Sequence, residues 1–159
     1  MKKTRSILAL IIALSALIVV SCDNDRGVNC ALEIPSWLSG NTYKATETDS
    51  QTGQAVEETL TFYNDNIYVV SKAQSSENTG ILDIKNELIE PLQNYITQFE
   101  QSSTNNSYRL TLVAMNTDAG YSMSFKINIV KTEKGIEITM SITDSNGTNT
   151  GGSGEYILQ

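Results

Sequence analysis

The chain has no histidine. That removes the commonest general base near neutral pH and the commonest metal ligand. Ser–His and Cys–His nucleophile pairs are excluded with it. Cysteine occurs twice, at Cys22 and Cys30, and no Cys-x-x-Cys pair exists. There are two prolines, Pro35 and Pro91, and a single tryptophan, Trp37. No glycine-rich phosphate cradle is present. Positive charge is also scarce, with 11 basic residues against 18 acidic ones for a net charge of −7. Such a surface argues against nucleic acid and anionic substrates, and against direct adsorption to anionic lipid heads. No apolar run reaches the roughly 20 residues of a spanning helix; the longest extends from Ile7 to Val20.

What is there begins with that run. Lys2, Lys3 and Arg5 precede it, and Val19-Val20-Ser21-Cys22 closes it. A charged start, a short apolar stretch and a small residue before the cut are the parts of a secretory signal. The junction resembles a bacterial lipobox, with Val19 at minus three, Ser21 at minus one and Cys22 at plus one. The resemblance implies a diacylglycerol on the Cys22 thiol, a cut before it, and acylation of the new amine. Two or more acyl chains give stable attachment without a spanning helix. Asp23 and Asp25 follow at once. They resemble both an inner-membrane retention signal and a surface-export signal. The expected location is the cell envelope, lipid-anchored, with the outer membrane or cell surface favoured.

The expected division is a signal peptide over 1–21, a lipidated tether over 22–33 and one domain over 34–159. Cleavage removes three basic residues and no acidic one, leaving eight against 18, or −10. Lipidation of Cys22 makes Cys30 an odd cysteine, which implies either pairing between molecules or a free thiol; a small, partly buried residue near the start of the fold is the competing and favoured reading.

Within the domain, strict alternation of apolar and polar residues predicts strands over 41–48, 57–63, 67–71, 107–115, 121–131, 135–143 and 154–158. The clearest pair sets Tyr121, Met123, Phe125, Ile127 and Ile129 on one face of the first strand and Ile136, Ile138, Met140 and Ile142 on one face of the second. Between 80 and 101 the period changes. Ile81, Ile84, Leu88, Leu92, Tyr95, Ile96 and Phe99 recur at three- and four-residue steps, which predicts an amphipathic helix. Pro91 predicts a kink or two abutting helices, with proline in a first turn. The stretch 143–154, rich in Gly, Ser and Asn, reads as a loop. The expected fold is mostly β: an antiparallel meander that closes into a lipocalin-like barrel of about seven to eight strands, with one amphipathic helical insertion.

The segment Pro35-Ser36-Trp37-Leu38-Ser39-Gly40, then Tyr43, resembles the opening of small bacterial lipocalin-like lipoproteins, and Gly151-Gly152-Ser153-Gly154-Glu155-Tyr156 resembles the approach to their last strand. Tyr43 falls three residues after Gly40, where that family places its aromatic two after. The resemblance implies a barrel enclosing a hydrophobic ligand. On the residues themselves, Tyr121, Met123, Phe125 and Met140 are the candidates to line an apolar pocket, and core packing is the competing explanation for the same four.

No catalytic set, metal site or cofactor is assigned. Glu57 and Glu58 are neighbours on a strand and point to opposite faces. Asp144-Ser145-Asn146-Gly147 lacks the ligand spacing and terminal glutamate of a calcium loop. The function expected is therefore a non-enzymatic binding module for a small hydrophobic molecule, alternatively a structural or interaction lipoprotein that contacts another envelope protein.

Overall fold

A computed structural model describes residues 30–48, 53–73 and 79–159. The expected signal peptide, Cys22 and most of the expected tether lie outside these residues. Nine strands form one antiparallel sheet: β1 (Thr42–Thr48), β2 (Ala55–Phe62), β3 (Ile67–Ala73), β4 (Thr79–Asp83), β5 (Ile96–Ser103), β6 (Ser107–Asn116), β7 (Tyr121–Lys131), β8 (Gly135–Asp144) and β9 (Asn149–Leu158). Their order is β4-β3-β2-β1-β9-β8-β7-β6-β5. Two meanders, β1 to β4 and β5 to β9, therefore join at β1 and β9. That seam is short, with only Tyr43 opposite Leu158 and Lys44 opposite Ile157.

The period-two pattern explains the core. Leu60 and Phe62 on β2, Ile67 and Val69 on β3, and the alternate residues of β6, β7 and β8 all face inward and form one apolar cluster. The sheet is curled around it. Glu33 N donates to Gln101 Oε1 on β5 at 3.0 Å, and the next residue, Ile34, donates its N–H to Asn64 O in the β2–β3 turn at 3.1 Å. In a flat sheet six strand spacings, or about 29 Å, would separate β2 from β5. Adjacent residues of one chain touch both, so the sheet bends back on itself. Residues 30–41 act as a strap across this end. Trp37 Nε1 donates to Thr104 O at 2.9 Å, Gly40 N donates to Phe62 O at 2.8 Å, and Leu38 is fully buried. Gly40, with φ of 80°, makes the bend into β1 that a side chain would disfavour.

The sheet does not close by strand pairing. With nine alternating strands, its two edges, β4 and β5, run in the same direction. The chain must return between them, and it does so as a helical segment: a π-helical turn over Ile84–Ile89, an α-helical turn over Glu90–Leu92 with Pro91 in its first turn, and a 3-10 turn over Gln93–Tyr95. Ile84, Leu88 and Ile89 are buried against the same core.

Three expectations are corrected here. The insertion over 80–101 is helical only at 84–95, and its ends are the strands β4 and β5. The three- and four-residue steps arose because a strand, a helical turn and a strand follow one another. Inside β4 it is Leu82 that faces the core, while Ile81 is 50% exposed. Among the described residues the strand count is consequently nine rather than seven to eight. The loop over 143–154 is shorter than expected, because β9 starts at Asn149 and pairs with β8 through Gly151, Gly152 and Gly154. Glycine carries no side chain, so alternation is invisible there. It is also required: a Cβ at Gly151 would collide with the carbonyl oxygen of Met140.

Candidate functional site

The four sequence candidates fall on one inward stripe. Tyr121, Met123 and Phe125 succeed one another on the inward face of β7, opposite Asn116, Ala114 and Leu112 of β6. Met140 lies one pleat deeper, on β8 opposite Ile127. Met123, Phe125 and Met140 are buried in the apolar cluster. Met140 also borders an open depression of about 370 Å³ over Gly151, Gly152 and Ser153. Tyr121 differs from the others. It packs against the cluster at the end of the sheet away from the strap, and its hydroxyl is buried with no hydrogen-bond partner among the described residues. A buried phenol usually has a partner. Burial, and secondarily the Asp144 carboxylate, push its ionisation up, so the group is a neutral donor at neutral pH.

A second polar cluster was not foreseen. Glu58, only 1% exposed, faces inward from β2 between Val56 and Leu60. Its carboxylate accepts from Tyr156 Oη at 2.7 Å and from Ser71 Oγ at 3.2 Å. Glu57 points outward to Lys44 Nζ at 3.5 Å, so the two adjacent glutamates do diverge. The signal for Glu58 was available in the alternation itself: a residue between two inward positions two steps away must face inward. Glu47 of β1 reaches toward the same region. Burial raises its pKa, and the Glu58 charge raises it further. Tyr156 is held well above its ordinary value by burial, then by the Glu58 charge and the hydrogen bond to it. Gly154 leaves the space: a Cβ there would lie 2.7 Å from Glu47 Oε1 and 3.1 Å from Tyr156 Cε2. Beyond the two-pair seam, β1 and β9 part over an open depression of about 360 Å³ lined by Ala45, Thr46, Glu47, Glu137, Ser153, Gly154 and Glu155.

A third cluster is structural. Asp83 Oδ1 accepts from Asn66 Nδ2 at 2.7 Å and from Asn86 N at 3.0 Å, and Oδ2 accepts from Asn86 Nδ2 at 2.6 Å. Burial would raise its pKa, but these donors and the Tyr68 hydroxyl bring it down to about 2. Asp83 caps the helical segment, as aspartate does at helix starts. The turn over 144–148 is likewise local: Asp144 Oδ1 accepts from Asn146 N and Thr148 N, each at 2.9 Å. Cys30 packs partly buried against the core, and burial raises its thiol pKa, which disfavours the reactive thiolate. No group of three or more metal-ligating side chains gathers among the described residues.

No protein-family model, curated protein or solved structure matches the chain.

Proposed function

We propose that the chain is a membrane-tethered, non-enzymatic binding protein. In this reading the curled sheet works as a lipocalin-like barrel in which the helical segment 84–95 stands where a pairing strand would close the wall. Its ligand is an apolar molecule bearing a hydrogen-bond acceptor, seated at the end of the sheet away from the strap. The observation that carries the reading is the buried, unpartnered hydroxyl of Tyr121 above Met123 and Phe125. An orphaned buried donor lowers stability by about 1–3 kcal/mol unless something accepts from it. A ligand carbonyl or carboxyl there would supply the acceptor, while Met123 is adaptable enough to repack around its chain. The absence of histidine, the commonest general base near neutral pH, favours retention over turnover in this reading.

Native mass spectrometry of the acylated protein, purified gently from a bacterial host, tests this. The expected result is a bound hydrophobic adduct that Tyr121→Phe weakens. An adduct-free protein that also fails to take up a fluorescent fatty-acid probe would overturn it.

A second reading, a contact with another envelope protein, is favoured by the outer face of β2 to β4. There Tyr63 and Ile81 are each about half exposed, and the Tyr63 ring meets Tyr68 edge-on at 5.9 Å. Crosslinking in intact cells from Ile81→Cys would report such a partner.

A further inference from the structure

We propose that the seat at Tyr121 selects an uncharged ligand, an apolar molecule whose polar group is an ester or ketone carbonyl, over a fatty-acid carboxylate or an amine. This deepens the reading of the Tyr121 end as a ligand seat and rests on it.

Strand alternation sorts the charged residues between the two faces of the sheet. Those on the inward face are carboxylates. Glu47 continues the row of Tyr43 and Ala45 on β1, and Glu58 precedes Leu60 and Phe62 in the row of β2. Asp144 continues the row of Met140 and Ile142 on β8 and stands opposite Met123. Asp83 is buried at the strap end, opposite Tyr68. The bases are elsewhere. Lys44, Lys72, Arg109 and Lys126 alternate with inward residues and so point outward. Lys131 and Lys134 stand at the β7–β8 turn, on the strap end. Lys85 reaches Asp65 in the β2–β3 turn on that same end, at 2.6 Å. These are all the basic residues among the described ones. The connections 49–52 and 74–78 contain no Lys or Arg, and the turn that leads into Tyr121 adds exposed Asp118.

The Tyr121 hydroxyl is buried without a hydrogen-bond partner among the described residues and stays protonated at neutral pH. It therefore has a hydrogen to give. An ammonium group offers donors only and would leave that hydrogen unused. A carboxylate would accept it, but would bring a negative charge out of water to a wall that holds carboxylates and no cation. Burying a charge without a partner is costly, and like charges repel more strongly as water is excluded. A neutral carbonyl accepts the same hydrogen bond and brings no charge. Met123 and Phe125, next in the row on β7, supply the apolar surface for the rest of such a molecule.

Three probes of one chain length test the selection: methyl decanoate, decanoate and decylammonium. The full chain, expressed with its leader and purified in a mild detergent, is incubated near neutral pH with equal amounts of all three. Native mass spectrometry reads the adducts. The ester adduct should exceed the decanoate adduct on the order of 10-fold. Tyr121→Phe should reduce the ester adduct on the order of 5-fold and leave any ammonium adduct unchanged. The double variant Glu47→Gln/Asp144→Asn removes two inward charges, and the amide oxygen at 144 still accepts from the turn. It should raise the ratio of decanoate to ester on the order of 10-fold over the parent, a comparison in which partitioning of the probes into the micelle cancels. Glu100→Gln, at an exposed position of β5, should leave that ratio unchanged. A parent decanoate adduct as large as the ester's, an ammonium adduct that Tyr121→Phe weakens, or a ratio unmoved by the double variant would overturn the selection. In each of these cases the seat itself stands as long as Tyr121→Phe weakens a bound probe. An absence of adducts with all three probes removes the seat and the selection together.

Discussion

Tyr156 and Glu58, 98 residues apart in sequence, meet through a hydrogen bond of 2.7 Å on the inward face of the sheet. The bond ties β9 to β2 across β1, where β1 and β9 themselves are no longer paired. Replacing Tyr156 by Phe keeps the ring against Gly154 and deletes only the donor to a buried carboxylate. The expected loss is about 1–3 kcal/mol, read as a lower urea midpoint with an unchanged slope. A midpoint equal to that of the parent would show that Glu58 does not depend on Tyr156.

Asp83 makes the domain sensitive to acid. Its folded pKa of about 2 lies below its ordinary 3.8, so the unfolded chain takes up the proton first as pH falls. The associated stability, about 2 kcal/mol, is complete above pH 4 and disappears as pH drops through 2. Asp83→Asn should therefore cost most at pH 7 and little near pH 2. Parallel loss at both pH values in chemical denaturation would contradict this.

Glu47 has the opposite sign. Its folded pKa is raised, so the folded state holds the proton more tightly than the unfolded one. Stability then declines as pH rises from about 4.5 through the folded value. Glu47→Gln should stabilise at pH 7, by less than about 1 kcal/mol because the group is only half-buried, and should be neutral below pH 4. Urea titrations at pH 4 and pH 7 distinguish this from a pH-independent packing effect.

The glycines of β9 and of the turns should respond differently to substitution. At Gly151 a Cβ would press on the β8 backbone, lying 3.0 Å from Ser141 Cα as well as against Met140 O. Gly151→Val should cost about 3 kcal/mol or more. At Gly120 nothing lies within 4 Å and only the positive φ of 63° resists, so Gly120→Ala should cost about 1–2 kcal/mol. Thermal or urea unfolding of the two variants side by side checks the ranking.

The sequence made the strands legible wherever one face is dry. From Tyr108 to Ile142, period-two alternation places every inward residue, including Met123, Phe125 and Met140. It was silent at Gly151 to Gly154, because a strand without side chains has no alternation, and misleading at 80–101, where two short strands flank a helical return. Glu58 was legible in principle from its inward position. Tyr156 as its partner was not, because the pairing of β1 with β9 is a long-range closure that no local pattern encodes. Tyr121 was singled out for its ring. What distinguishes it is the unpartnered hydroxyl, a property of the packed interior alone.

The two-pair seam between β1 and β9 also has a kinetic consequence. Every other ladder joins strands that are neighbours along the chain and can form by local hairpin closure. The seam joins Tyr43 to Leu158, nearly the full length of the domain, and such closures are entropically costly and slow. The two meanders should consequently acquire protection from hydrogen exchange as separate units during refolding, with the amides of Thr42 to Lys44 and Ile157 the last to be protected.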